Sequence, residues 1–352
     1  MLAQDRASGL RAIIAVWSTA LGPGLGGTRF LPYAAPADAL ADVLRLSKAM
    51  GYKNALAGLS AGGGKAVIVG DPAVLRSDAL LEAYGRAVAQ LGGRYVTACD
   101  VGTRVQDMDV IARTNPWTTG RSRSLGGAGD SGELTALGVH AGLRAAAEHV
   151  WGTPELGGRR VAVSGLGKVG HRLVGLVLDD GATVVCADTD PEAVRRLRAA
   201  YPAPDRIEVV APDQIAAAEA DVFSPNALGG ALTAAVVAGL RARIVCGGAN
   251  NQLATAEVAA ALATRGVLWC PDYLVNAGGV IAVADEGLTP PYDHERATAR
   301  VLGIGATTRR VLQEAQQSGQ TPAEVADALA EQRIAAATAG TGTEVPGGEQ
   351  PL

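Results

Sequence analysis

The run Val161-Ala-Val-Ser-Gly165-Leu-Gly167-Lys-Val-Gly170 constrains this chain more than any other feature. A β-branched stretch over residues 160–164 leads straight into G-x-G-x-x-G, and helical spacing begins at once over residues 168–179. Strand, glycine turn and helix in that order form the dinucleotide-binding unit of a parallel, doubly wound Rossmann-type sheet. Gly165 permits the tight turn, Gly167 lets the backbone approach a pyrophosphate, and Gly170 allows the helix to pack close to the strand. Unpaired N–H groups at the helix start then hold the phosphates. Leu166, Lys168, Val169 and His171 complete this stretch, and Lys168 has two readings there, phosphate contact or solvent. Asp188 ends the next strand, eighteen residues past Gly170. A carboxylate at that place accepts hydrogen bonds from both hydroxyls of the adenosine ribose and repels a 2′-phosphate, so the expected cofactor is NAD.

The same rhythm continues on both sides. Further strands are expected at residues 182–187, 207–210, 221–223, 243–246 and 267–270, and alternation with helices argues for a parallel sheet. Three of these strands end in loops rich in small and amide residues: 224–230, 247–252 with Asn250, and 271–279 with Asn276. An asparagine both donates and accepts, which suits a nicotinamide carboxamide or a substrate carboxylate.

Ahead of this unit lies a second α/β region. Residues 10–20 read as a strand, 21–29 as a glycine-rich stretch, and 37–50 as a helix with Ala39, Leu40, Val43, Leu44, Leu46 and Met50 on its buried side. Glycine-rich 51–65, a short strand at 66–69, a helix at 77–91 and a strand at 94–99 follow. The turn-rich segment 121–132 reads as the crossing between domains and opens a long helix over 133–150. The expected organisation is a substrate and oligomerisation domain at 1–125, a Rossmann domain at 126–302, a helical return over 303–337, and a disordered tail at 338–352.

With 352 residues, 48% hydrophobic and 19% charged, the chain can build two packed cores. A net charge of −4 offers no basic footprint for nucleic acid. No apolar run reaches membrane-spanning length and no leader opens the chain, so a cytoplasmic location is expected. The four cysteines are widely separated and read as reduced thiols, and the four histidines form no H-x-x-x-H pattern, so no metal is expected.

Of 31 basic residues only Lys48, Lys53, Lys65 and Lys168 are lysine. A buried lysine can release its proton where arginine cannot, although codon bias alone would also leave a few lysines. Lys65 follows Gly62-Gly63-Gly64, which expose it to a ligand, and Lys53 stands twelve residues earlier. A lysine partly desolvated beside a second ammonium is weakened toward neutrality, so Lys65 can act as base while charged Lys53 pairs with a carboxylate. Asp100, at a strand end, can exchange protons with a reacting amino group.

These residues sit in longer motifs: LGPGLGGTRF from Leu21, MGYKNALAGLSAGGGKAVI from Met50, TACDVGT from Thr97, GGAGDSG from Gly126, GLGKVGH from Gly165, GGANNQL from Gly247 and PDYLVNAGGVI from Pro271. Over about residues 3–335 the chain resembles the glutamate/leucine/phenylalanine/valine dehydrogenase family, within it the actinobacterial valine and leucine dehydrogenases. The chain starts later than members usually do, and Ser224-Pro-Asn stands where near relatives commonly carry Ala-Pro-Cys.

The resemblance implies reversible, NAD-dependent oxidative deamination of branched-chain L-amino acids, valine before leucine and isoleucine, to 2-oxo acids and ammonia. It implies Lys65 as general base, Lys53 on the substrate carboxylate, Asp100 in proton transfer, Asn250 near the nicotinamide, and backbone at Gly26 and Gly27 lining the pocket. Leu25, Ala98, Val280 and Val283 fall at the side-chain pocket, where all four are apolar. It also implies a homo-oligomer, dimer or octamer. The alternatives are a dehydrogenase of phenylalanine or another amino acid, and a non-catalytic NAD-binding homologue.

Overall fold

The computed structural model describes residues 1–340. Two sheets organise them. The first has strand order β1-β2-β4-β3-β5, from β1 (Leu2–Asp5), β2 (Leu10–Ser18), β3 (Gly24–Leu31), β4 (Gly62–Val69) and β5 (Tyr95–Cys99). Strands β3, β4 and β5 run parallel, while β2 lies antiparallel to β4 and β1 antiparallel to β2. Helix α1 (Pro36–Leu56) covers one face, with Pro36 in its first turn and Asp38 accepting the Ala35 N–H. The short α2 (Pro72–Leu75) follows, and α3 (Asp78–Ala89) and α4 (Val105–Ala112) cover the opposite face, packing on Ala12, Ile14, Ala66 and Ile68.

Glycine makes this sheet tight. A Cβ at Gly26 would stand 1.9 Å from the Gly64 carbonyl oxygen, and one at Gly64 would meet the Tyr95 ring at 2.7 Å. Strands β3 and β4 therefore approach where no other residue fits. Glycine-rich 21–29 is thus mostly strand β3, and 51–65 divides between the end of α1 and the start of β4. Composition marks both only as glycine-rich stretches; sheet pairing gives them their strand structure.

Helix α5 (Gly132–Trp151) leads into the second, parallel sheet, ordered β11-β10-β9-β6-β7-β8. Its elements are β6 (Arg160–Ser164), α6 (Lys168–Asp179), β7 (Thr183–Ala187), α7 (Pro191–Ala200), β8 (Ile207–Val209), β9 (Val222–Pro225), α8 (Ala234–Gly239), β10 (Ile244–Val245), α9 (Glu257–Thr264) and β11 (Leu268–Trp269). The strand order reverses beside β6, so the crevice outside β6 and β9 is the ligand position that this topology favours. The core here is aliphatic, built on Val161, Val163, Val174, Val184 and Leu197.

Helices α10 (Asp272–Val275), α11 (Gly278–Leu288), α12 (His294–Ser318) and α13 (Pro322–Gly340) follow. The helical return is not continuous: α12 ends at Gly319, whose φ of 73° suits glycine. Helix α12 lies along α5, and α13 carries the chain back to α1, where Arg333 donates to the Ala55 and Leu59 carbonyls. Residues 338–340 of the expected tail belong to α13, and the rest of it lies outside the described residues.

Helix α1 corrects one expectation. Ala39, Val43 and Leu46 are buried, whereas Leu40 and Leu44 are 45% and 53% exposed. Spacing marks an apolar face but does not distinguish burial in a core from exposure on a second side. Among the described residues no helix is long and apolar enough to cross a membrane.

Candidate active site

A cleft of about 420 Å³ opens where the middle of β3 and β4 and the carboxyl end of β5 face the loops after β10 and β11. Lys53, Lys65, Asp100, Gly26, Gly27, Ala98, Val280, Val283, Lys168, Val169, Asn250 and Asn276 all line it. The structure thus brings together residues spread over more than two hundred positions of sequence.

Lys65 leaves the buried strand β4 and pairs directly with an Asp100 carboxylate oxygen. Asp100 caps β5; its other oxygen accepts the Val101 N–H at 2.7 Å. Burial alone would raise the Asp100 carboxyl, but the ammonium of Lys65 and then the guanidinium of Arg29 hold it at about 2. Asp100 is therefore held as a carboxylate, the counter-charge and hydrogen-bond acceptor for the Lys65 ammonium.

Lys53 extends from α1 toward the opposite wall, where its Nζ donates to Asn250 Oδ1 at 3.0 Å. Burial weakens its ammonium to about 8, Asp272 opposes this, and the charge of Lys65 adds to it. The expectation placed the weakened amine at Lys65 and the charged one at Lys53. Here it is Lys53, facing an amide, that burial weakens, while Lys65 pairs directly with the Asp100 carboxylate.

Asn276 Nδ2 donates to Asn250 Oδ1 at 2.8 Å and to the Gly248 carbonyl at 3.2 Å. Its own Oδ1 is buried without a hydrogen-bond partner. A buried acceptor left open in a cleft calls for a donor from a ligand, and a carboxamide N–H₂ supplies one. The glycine turn fits a dinucleotide equally well. Gly165 has φ +92°, a Cβ on Gly170 would lie 1.9 Å from the Gly165 carbonyl oxygen, and one on Gly167 would meet nothing within 4 Å. The space beside Gly167 is thus open at the head of α6, where the phosphates belong.

Asp188 stands at the end of β7, accepting the Leu166 N–H at 2.6 Å and the Asp190 N–H at 2.8 Å, one on each oxygen. Each oxygen keeps a lone pair for a ribose hydroxyl. Lys168 is largely exposed and reaches Asp130 at 3.5 Å. The glycine-turn residues Gly165, Leu166, Gly167 and Gly170, with Asp188, lie beyond the lining of the cleft, and Leu25 and His171 are also outside it. Leu25, on β3, is fully buried in the apolar cluster that includes Ala98, Val280 and Val283, and His171 packs at a tilt on Tyr201 with ring centroids 5.3 Å apart.

Several cleft residues escaped the sequence reading. Asp272 faces Lys53 with its carboxyl raised by burial, opposed first by that lysine. Arg29 donates to Asp100 at 3.2 Å. Cys99 lines the cleft as a neutral group, its thiol pushed up to about 12 by burial. The four cysteines are unbridged, and among the described residues no group of three or more His, Cys, Asp or Glu could hold a metal ion. Position in a G-G-T-R strand hid Arg29, whose role appears only when β3 pairs with β5.

Comparison with known proteins agrees with this architecture. The family model described as Glu/Leu/Phe/Val dehydrogenase, dimerisation domain, matches residues 2–116, and that of Glutamate/Leucine/Phenylalanine/Valine dehydrogenase matches residues 190–342. A valine dehydrogenase of Streptomyces virginiae is 56% identical over 336 residues, covering 95% of this chain and 92% of the relative. A leucine dehydrogenase of Bacillus cereus is 43% identical, covering 94% and 89%. Among solved structures, L-tryptophan dehydrogenase from Nostoc punctiforme superposes with a TM-score of 0.83 at 36% identity, covering 96% of each chain. With this coverage and these shared motifs, the chain belongs to the Glu/Leu/Phe/Val dehydrogenase family.

Proposed function

We propose that this enzyme carries out the reversible NAD-dependent oxidative deamination of branched-chain L-amino acids, valine foremost, to 2-oxo acids and ammonia. The observation that carries the reading is one cleft in which the Lys65–Asp100 pair, the Lys53–Asn250 contact and the apolar walls Ala98, Val280 and Val283 converge. Substrate preference follows the valine dehydrogenases at 56% and 55% identity and the apolar walls.

NAD⁺ would be held by the Gly165–Gly170 turn, Asp188 and Asn276, and would supply the acceptor for the hydride that leaves the substrate Cα as the imino acid forms. Lys53 pairs with the substrate carboxylate and fixes the Cα within reach of Lys65. As the free amine, Lys65 takes a proton from water as the water oxygen adds to the imine carbon, and the Asp100 carboxylate stabilises the ammonium that forms. Lys65 then passes the proton to the departing ammonia, leaving the 2-oxo acid. Val280, Val283 and Ala98 exclude water from the side chain. Asp188, through its ribose contacts, favours NAD over NADP.

The division into 1–125 with a returning helix and 126–302, assembly as a homo-oligomer through the first domain, and a cytoplasmic location belong to the same reading. The family model's name supports the assembly.

The test is NAD(P)H formation across valine, leucine, isoleucine, phenylalanine and glutamate with both cofactors. Valine with NAD⁺ should give the highest kcat/KM, and glutamate as the best substrate would overturn the pocket assignment.

A further inference from the structure

Lys65 and Asp100 do not end at the cleft wall. Arg29 Nε donates to Asp100 Oδ2 at 3.2 Å, and its Nη1 donates to Asp42 Oδ2 at 3.1 Å. Asp42 also accepts from Tyr33 at 2.8 Å and from Arg45 Nη2 at 2.9 Å. Arg45 Nη1 in turn donates to Asn251 Oδ1 at 3.3 Å, crossing to the loop after β10. Asn251 holds a positive φ of 53°, uncommon outside glycine, next to Asn250, which meets Lys53. A line of alternating charges thus runs Lys65, Asp100, Arg29, Asp42, Arg45 and ends on the Asn250–Asn251 loop.

We propose that Arg29 is a positioning residue for the Lys65–Asp100 pair, and that Asp42 and Arg45 extend it across the cleft, so that one chain of contacts sets the proton-transferring pair and seats the Asn250–Asn251 loop. The proposal rests on the function assigned above. Arg29 and Asp42 are mostly buried, so their contacts act with little solvent screening, whereas Arg45 is half-exposed and its contact responds to movement of the loop. The groups facing Asp100 are Lys65 from β4, Arg29 from β3, Lys53 from α1 and Cys99 beside it on β5, with Asp42 and Tyr33 behind Arg29. Removing the Arg29 charge leaves the pair less positive surroundings, so both members bind protons more tightly.

The experiment compares the full-length parent, Arg29→Gln, Arg29→Lys and Arg45→Ala in valine oxidation over a pH series, with melting curves as a fold control. The parent's turnover, and its loss in Lys65→Ala, test the functional reading first and separately. In Arg29→Gln the pH midpoint of the rise in kcat/KM should move up by about one unit, and Arg29→Lys should bring it back. A purely structural role would lower the amplitude and leave the midpoint in place, which overturns the proposal. Arg45→Ala, at a half-exposed site, should keep the melting temperature and lower kcat about threefold to tenfold. Parental kcat and KM in that variant overturn the cross-cleft link, even where Arg29→Gln fails to fold.

Discussion

At the scale of single residues, the site works by giving two lysines different partners. Lys65 meets a carboxylate held at about 2, whereas Lys53 meets the amide of Asn250 and is weakened by burial to about 8. The sign of the consequence is direct. Below about 8 Lys53 carries the charge that a carboxylate ligand needs; above it the charge is lost unless the ligand restores it. Affinity for the 2-oxo acid of valine, which does not itself titrate in this range, should therefore weaken by about tenfold per pH unit above that point. Inhibition of the forward reaction by that 2-oxo acid between pH 7 and 10 checks this, and a constant inhibition constant contradicts it. Lys65, Lys53 and Asp100 were legible in sequence because each sits in a motif of unusual composition. Asp272 and Arg29 were not, because a carboxylate beside a proline and an arginine in a strand look ordinary until pairing brings them to the cleft.

At the scale of elements, glycines act in separable ways, and the turn after β6 shows it. Gly170→Ala would push a Cβ against the Gly165 carbonyl oxygen at 1.9 Å, so backbone must shift at a cost of about 1–3 kcal/mol. Gly167→Ala meets no protein atom within 4 Å, yet fills the space expected for phosphate. Melting curves and NADH titration should thus separate the two: Gly170→Ala loses stability and binding, Gly167→Ala loses binding alone. Equal melting losses would argue against an open phosphate site at Gly167. Strand β6, helix α6 and strand β7 were readable because a parallel strand and a glycine turn carry strong local signals. Strand β3 was not, since Gly24–Leu31 has the composition of a loop and becomes a strand only by pairing on both sides. Leu40 and Leu44 show the opposite failure, apolar spacing without burial.

At the scale of the molecule, the connections between the two sheets rest on buried carboxylates. Glu286 of α11, 1% exposed, accepts the Gly120 N–H at 2.7 Å, the Ala128 N–H at 2.8 Å and Arg121 Nε at 2.8 Å. It thereby ties the crossing segment to the helix that carries Val280 and Val283. Glu286→Ala strands these donors and should cost on the order of 3 kcal/mol, read as a lower denaturation midpoint, with Glu286→Gln intermediate. Wild-type stability in Glu286→Ala would mean that the crossing is held by other contacts. Helix α13 adds a second tie, where Tyr52 donates to Glu331 and Tyr273 donates to Asp327 at 2.6 Å, one turn apart. Neither tie was legible in sequence, because both join residues more than fifty positions apart.

All of this chemistry converges on the amine of Lys65, and one variant tests it most directly. Lys65→Ala, assayed for NADH formation from valine and for NADH binding by fluorescence titration, should lose nearly all turnover while binding the dinucleotide as the parent does. Parental turnover in that variant would contradict the assignment of Lys65 as the base.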